Sequence, residues 1–168
     1  MAQIAKAAGI SRQAVYLHFA DRAELMVAMV RHADEKRGLV KQVERLATAP
    51  TAAAALAELV DMQARANPAI WAAARALDAT RRTDADAERS WQDRLQDRLN
   101  GCRQIIARLE KEGNLRSDLD PAAAADLLWT LTSLRTWEDL VLERAWSPDQ
   151  YRKYMTRLVG ESLTVTNK

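Results

Sequence analysis

A helix-turn-helix pattern in residues 4–22 constrains the fold of this chain more than any other stretch of its sequence. Gly9 stands where a helix end requires a backbone with positive φ, which glycine adopts without strain. Ser11 has a side chain that accepts a hydrogen bond from the first turn of a following helix. We therefore expect one helix to end at Gly9 and a second to run from Ser11 to about Phe19.

Four apolar residues of this pattern are expected to point inward and hold the two short helices together. They are Ile4, Ile10, Val15 and Phe19. The side chains between them are then left on the outside, near the start of the second helix.

The rest of the chain predicts an all-α protein with about eight helices. Only five glycines and four prolines interrupt its 168 residues, and no stretch shows the two-residue alternation of strands. Asp21 is predicted to cap a linking helix that continues into the mid-40s, and Pro50 marks a break. Three pairs of a capping residue and a proline predict further helix starts, at Asn67–Pro68, Asp120–Pro121 and Ser147–Pro148.

Apolar periodicity predicts the long helices of the second part of the chain. Apolar residues recur every three or four positions from Trp91 to Leu109, and Gly113 ends that helix. Two further helices are predicted over residues 121–144 and 148–164.

The composition excludes several classes of protein. Cys102 is the single cysteine, so no intramolecular disulfide can form and a reducing cytoplasm fits. No apolar run approaches the roughly 20 residues that span a bilayer, and the first residues lack the apolar region of a signal peptide. We expect a cytoplasmic protein without membrane contact.

No constellation of residues points to an enzyme. His18 and His32 both lie near the N-terminus, and Cys102 lies on an apolar helix face with no histidine near it in sequence. Acidic pairs such as Asp84 and Asp86 occupy capping or loop positions and lack the spacing of metal ligands. We expect no catalytic site, no metal and no cofactor.

The outward side chains at the start of the second helix suit the reading of DNA. This end of a second helix enters the major groove in helix-turn-helix proteins. Arginine pairs with guanine, glutamine with adenine, and alanine contacts a thymine methyl, which are the residue types of Arg12, Gln13 and Ala14. Tyr16 and His18 can donate hydrogen bonds to phosphate oxygens. Each residue taken alone is more often a solvated or half-buried side chain, so the joint pattern carries the prediction.

This joint pattern resembles the TetR family of transcriptional regulators. The sequence reads I-A-x-x-A-G-I-S up to residue 11, x-x-x-V-Y-x-H-F up to residue 19 and x-D-R-x-x-L up to residue 25. Residues 113–121, 126–133 and 140–148 are similar to the effector-binding and dimerisation half of many members.

The resemblance implies roles for individual residues. Residues 11–19, beginning with Ser11, form the recognition helix, and Tyr16 and His18 contact the DNA backbone. Arg22, which replaces the family's usual lysine, adds a further phosphate contact. The partner is double-stranded DNA with a palindromic operator, bound by a homodimer that acts as a repressor.

The resemblance also divides the chain in two. Residues 1–47 are a partial helix-turn-helix DNA-binding region with its linking helix, and residues 48–168 are a helical effector-binding and dimerisation domain. Members of the family have one more helix before the motif. We therefore interpret Met1 as an internal methionine of a longer chain, with a truncated chain or a short protein without DNA affinity as the alternatives.

A small, mostly apolar effector is expected inside the helical domain. Large flat aromatic side chains with a few polar groups suit such a ligand, although each of them taken alone is more often core or dimer packing. The candidate lining residues are Met62, Trp71, Trp91, Cys102, Trp129 and Trp137.

The dimer interface is expected on the helices over residues 121–144 and 148–164, which correspond to the pair that forms a four-helix bundle in the family. Their apolar faces suit an isologous contact between two copies. The candidate residues are Leu128, Leu131, Tyr151, Tyr154, Met155 and Leu158.

Two functions follow from these patterns. The first is a ligand-responsive transcriptional regulator whose affinity for operator DNA changes when the effector binds. The alternative is a helical ligand-binding dimer without DNA affinity, which sequesters effector or forms inactive heterodimers with a full-length relative.

Overall fold

Eight α-helices and no strand make up the part of the chain that the computed structural model describes, residues 1–19, 25, 28, 32 and 38–165. The predicted all-α fold is confirmed. A π-helical segment, Glu138–Glu143, directly follows the seventh helix. The helices are α1 (Ala2–Ala8), α2 (Arg12–His18), α3 (Leu39–Thr48), α4 (Ala52–Thr80), α5 (Ala85–Lys111), α6 (Pro121–Leu131), α7 (Leu134–Trp137) and α8 (Pro148–Leu163).

The turn between α1 and α2 forms where the sequence predicts it. Gly9 ends α1 in the left-handed conformation, with φ 67°. The Ser11 hydroxyl accepts a hydrogen bond from the backbone N–H of Ala14 at 3.0 Å, which caps α2. Val15 is buried, and it packs in a small apolar cluster with Ala5 and Leu25.

The prediction that Ile4 and Ile10 point inward is wrong. Their side chains are 38% and 47% exposed, whereas Ala5 is 3% exposed. Successive helix residues are turned by about 100°, so Ile4 faces away when Ala5 faces the cluster. Ile10 lies in the turn between the two helices and belongs to neither apolar face.

The predicted linking helix is not continuous into the mid-40s. Gly38 has φ 62° and precedes the first residue of α3, and a left-handed residue cannot continue a right-handed helix. The predicted cap Asp21 and the predicted phosphate contact Arg22 lie outside the described residues.

The predicted helix start at Asn67–Pro68 is also wrong, because α4 begins at a cap on Thr51 and passes through Pro68 without interruption. Pro68 is exposed and Asn67 is 1% exposed. Buried residues lie on both sides of the proline, from Ala52 to Leu77. Their burial outweighs the single backbone hydrogen bond that the proline removes.

The helix predicted over residues 121–144 is divided. It starts at Asp120 as predicted, but α6 ends at Leu131. Ser133 then caps α7 by accepting a hydrogen bond from the N–H of Thr136 at 3.0 Å. The predicted start at Ser147 is confirmed, with a reciprocal capping box to Gln150.

The main hydrophobic core lies between α4, α5, α6 and α8. Its fully buried side chains come from all four helices and include Val60, Leu109, Leu128 and Val159, each at 0% exposure. In the described part of the chain no helix is long and apolar enough to cross a membrane.

Two polar side chains at the end of α5 bind the break between α3 and α4. Arg108 donates to the backbone carbonyls of Leu46 at 3.2 Å and Ala49 at 2.7 Å. Glu112 accepts from the N–H of Ala52 with both carboxylate oxygens at 2.9 Å. One helix therefore caps the end of α3 and the start of α4, and we call this pair, Arg108 and Glu112, the α5 clamp.

The α5 clamp predicts a specific loss of stability. Substituting Glu112→Ala removes a charged acceptor from the N-terminus of α4 and should lower the free energy of unfolding by about 1–2 kcal/mol. Urea denaturation followed by circular dichroism measures the change. Glu110→Ala, at an exposed position of the same helix, is the matched control. Equal urea midpoints for the two variants would contradict the capping role.

Candidate DNA-binding surface and interior ligand site

The predicted DNA-reading side chains lie on the accessible surface of α2. Arg12, Gln13 and His18 are exposed, and Tyr16 is 42% exposed. The Arg12 guanidinium lies 5.5 Å from the centroid of the Tyr16 ring, one turn further along the helix. Two predicted residues are less free, since Ala14 is half-buried and the Ser11 hydroxyl is engaged in capping α2.

Leu17 is a surface residue that the sequence analysis did not single out. It is 80% exposed, more than any other large apolar residue recorded as exposed in the described part of the chain. Leu17 follows Gln13 by four residues, so the two side chains are neighbours on α2. An exposed leucine beside a base-reading residue can contact a thymine methyl. The signal in the sequence is an apolar residue two positions after Val15, away from the buried face.

Five of the six predicted effector-binding residues lie in or against the main core. Cys102 and Trp137 are buried, at 2% and 3% exposure. Met62, Trp71 and Trp129 are half-buried and pack against them. These five side chains come from four different helices, and all of them belong to or pack against the main core, the interior region of the helical domain.

Trp91, the sixth predicted effector-binding residue, lies apart from the main core. Its ring is covered by the Arg81 guanidinium at 5.3 Å, near the turn from α4 to α5. Arg81 is in turn paired with Asp78 at 2.6 Å and with Glu88 at 3.0 Å. Trp91 therefore packs under a charged network rather than beside the main core.

Arg98 is half-buried beside Trp129, at this interior region, and was not predicted. Its guanidinium is 4.4 Å from the centroid of the Trp129 ring. It donates to the backbone carbonyl of Trp129 and, at 3.4 Å, to that of Thr132. Burial lowers its pKa, because a charged guanidinium is desolvated there. The signal in the sequence is an arginine within the apolar stripe of α5, where Cys102 follows it by one turn.

Several buried polar atoms of the helical domain have no hydrogen-bond partner. Among the described residues they include Arg98 Nε, both amide atoms of Asn67, the hydroxyl of Tyr151 and the indole N–H groups of Trp71 and Trp129. Buried polar atoms in folded proteins are paired in the great majority of cases. Their number here marks the region as a candidate binding site.

Two cavities are found elsewhere on the molecule. One of about 280 Å³ is lined by Arg75, Asp78, Ala79 and Arg82. The other, of about 240 Å³, lies between α5 and α6, beside Arg103 and Pro121. None of the predicted effector-binding residues lines either cavity.

The predicted dimer residues divide into two sets. Leu128, Tyr151 and Met155 are no more than 2% exposed, so they belong to the core of the chain itself and are not available to a partner. Tyr154 and Leu158 are 46% and 44% exposed, and Leu131 is half-buried. The helical repeat of α8 explains why some of these residues are buried and others exposed, because residues 151, 155 and 159 share its inner face.

The comparisons with known proteins agree with this architecture. Residues 1–29 match the family described as bacterial regulatory proteins, tetR family. A protein from Saccharomonospora viridis, assigned as a transcriptional regulator and solved in complex with choline, has a TM-score of 0.75 and 21% identity over 97% of this chain and 85% of its own. No curated protein matches the chain.

Two structures of one repressor are similar as well. NalD, the secondary repressor of the MexAB-OprM multidrug efflux pump in Pseudomonas aeruginosa, has a TM-score of 0.65 and 26% identity, over 97% of this chain and 84% of its own. A structure of native NalD has a TM-score of 0.64 and 23% identity, over 97% and 85%. The similarity in fold extends over α1, α2 and the helical domain alike, since each comparison covers 97% of this chain.

Burial also favours the neutral, protonated form of the Cys102 thiol. It raises the pKa of Cys102 to about 11, because charge on the sulfur would be desolvated, and this outweighs the opposing effects of Arg98 and Thr132. The neutral thiol is the state that the fold favours. Its contribution to stability is fully present below pH 9.0 and is lost as the pH rises toward about 11.

This pKa predicts an unreactive cysteine. Iodoacetamide should label Cys102 slowly in the native protein at neutral pH and rapidly once the protein is unfolded in urea, because the thiolate is the reacting form. Mass spectrometry of timed samples measures the two rates. A Cys102→Ala variant sets the background, and it should lose less stability than the unaltered protein between pH 9.0 and 11. Equal native and unfolded labelling rates would refute the prediction.

Proposed function

We propose that this chain is a TetR-type, ligand-responsive DNA-binding regulator that acts as a repressor, because its residues 1–29 match the tetR family model and its fold is similar to that of NalD. The observation that carries this proposal is the geometry of α1 and α2, with a left-handed Gly9 between them and a capped α2 that presents Arg12 and Gln13. Two copies of α2 in a homodimer read the two halves of a palindromic operator.

The chemistry of α2 supports this division of roles. Arg12 and Gln13 are free at the N-terminal end of the helix, where side chains reach base edges. Tyr16 and His18 are exposed further along and suit phosphate contacts, which give affinity without sequence preference.

The exposed apolar residues of the helical domain support a homodimer. Tyr154 and Leu158 follow each other by one turn on α8, and Leu127 on α6 is 42% exposed. An apolar strip of this kind, rimmed by polar side chains, is typical of an isologous interface.

A small effector bound among the aromatic side chains of the main core is proposed to change the affinity for DNA. The choline complex of the Saccharomonospora viridis protein shows a small molecule bound to a protein of similar fold. In the present chain, α5 reaches from Arg98 in that region to the α5 clamp, which holds the ends of α3 and α4. Displacement of α5 by a ligand would therefore move the helix that leads toward the DNA-binding region.

In vitro selection from random duplex DNA tests the proposal. The purified chain should enrich sequences with two-fold symmetry, and gel shifts with the enriched duplex should give a complex of two chains per duplex. Failure to enrich any sequence, from a protein that is folded by circular dichroism, would favour the helical ligand-binding dimer without DNA affinity.

Substitutions on α2 should separate base reading from phosphate binding. Arg12→Ala or Gln13→Ala should reduce discrimination at single base pairs by about 1–3 kcal/mol. Tyr16→Phe or His18→Ala should instead weaken binding to all sequences alike, because phosphate contacts carry no base preference. Fluorescence anisotropy with the selected duplex and single-base variants measures both effects. Uniform weakening by all four substitutions would contradict the assigned roles.

A charge placed in the exposed strip of α8 should prevent dimer formation. Leu158→Glu would bury an unpaired carboxylate in an apolar interface, which is strongly unfavourable. Sedimentation equilibrium should show a dimer for the unaltered protein and a monomer for the variant. Gln104→Glu, which introduces the same charge at an exposed position of α5, is the matched control and should remain dimeric. A monomeric unaltered protein would refute the interface.

A further inference from the structure

The polar atoms around Arg98 identify a ligand by their chemistry. Tyr151 is 1% exposed and its hydroxyl has no partner in the described part of the structure. The Nε atom of Arg98 has none either, and Tyr151 packs in the same core cluster as Cys102, which lies one turn along α5 from Arg98. Leaving buried donors unpaired is unfavourable in a finished core, but it is expected where a ligand supplies the acceptors.

A structural role accounts for only part of the Arg98 side chain. The guanidinium donates to the carbonyls of Trp129 and Thr132 at the end of α6, where a positive charge is favourable. Those bonds use its two terminal nitrogens and leave Nε unpaired. Burial lowers the pKa of this guanidinium, and no carboxylate of the described residues is among the groups that act on it. A half-buried arginine whose buried Nε has no acceptor is the unusual feature of this region.

Most of the other unpaired polar groups in the core are hydrogen-bond donors as well. The indole N–H groups of Trp71 and Trp129 are buried without acceptors. Tyr151 remains a donor at neutral pH, because burial raises its pKa to about 12. A site with a cation and an excess of donors favours a ligand with negatively charged oxygen atoms, whereas a cationic ligand would be repelled.

We propose that this domain binds an amphipathic organic acid, whose carboxylate is held by Arg98 Nε and the Tyr151 hydroxyl and whose apolar part lies among Trp71, Trp129 and the core side chains. Charge-assisted hydrogen bonds of arginine to a carboxylate are among the strongest in proteins. This inference rests on the proposed function for its biological meaning, but the binding of the acid is a separate property of the helical domain.

The wall of the site lies where the helix over residues 121–144 is discontinuous. Trp129 covers the Arg98 guanidinium and is itself half-buried. Two residues after α6 ends, Ser133 begins a new helix, and the π-helical segment follows at Glu138. Such interruptions are frequent at functional sites and give way more readily than regular helix. The Trp129 ring is therefore the side chain expected to move when the acid enters.

Isothermal titration calorimetry with defined probes tests the proposal. The probes are 4-phenylbutyrate and octanoate as acids, 4-phenylbutanamide as the uncharged analogue, and choline as a cation. The acids should bind at least about tenfold more tightly than the amide, because the amide lacks the charge that Arg98 recognises. Choline should not bind at this site.

Two variants locate the binding. Tyr151→Phe should weaken binding of the acids by about tenfold without lowering the melting midpoint, because it removes a hydroxyl that has no partner in the protein. Arg98→Met should abolish the preference for acid over amide. Arg103→Met, at an exposed position of α5, is the matched control and should bind the acids as the unaltered protein does.

The outcomes separate this inference from the proposed function. Binding of the amide or of choline as tight as that of the acids would overturn the inference, as would no binding of either acid at millimolar concentration. Unchanged affinity of Tyr151→Phe for the acids would overturn it too. None of these results bears on the selection of DNA by α2. Conversely, a chain that binds the acids and selects no DNA would retain the inference and lose the proposed function.

Discussion

Burial of one face of α5 against α4, α6 and α8 is the interaction on which the rest of the structure depends. Ile106 and Leu109 are 1% and 0% exposed at the centre of that contact. Truncating a side chain of this kind to alanine costs about 2–5 kcal/mol, a large part of the stability of a small domain. Arg108 and Glu112, the α5 clamp at the C-terminal end of this helix, hold their positions because this face is packed.

The same helix joins two places with different chemistry. Arg98 lies in the interior among aromatic side chains, and Arg108 lies ten residues later in the α5 clamp. The separation along the helix is about 15 Å, a distance over which a packed helix moves as a unit. A change at Arg98 can therefore reach the ends of α3 and α4 without any intermediate loop. This physical connection gives the proposed regulation a route through the described structure.

Local signals in the sequence predicted local structure well. Gly9, Ser11, Asp120 and Ser147 end or begin helices as predicted, because each acts through its own backbone conformation or through a hydrogen bond to a residue two or three positions away. The same kind of signal failed at Asn67–Pro68, where a capping residue and a proline lie within a continuous helix. There the apolar residues on both sides of the proline pack against other helices, and that packing outweighs the local preference.

The sequence by itself determined the all-α fold and the DNA-reading pattern of α2, since both depend on spacing along one helix or across one turn. It also supplied the aromatic residues of the interior. Only the tertiary structure decided which of them meet: Trp129 lies over Arg98 from another helix, and Trp91 lies apart under Arg81. It decided likewise that Tyr151 faces the core while Tyr154 is exposed at the surface beside Trp146. Both are tyrosines, a residue type common at interfaces, and only the packing of α8 shows which side of that helix is buried.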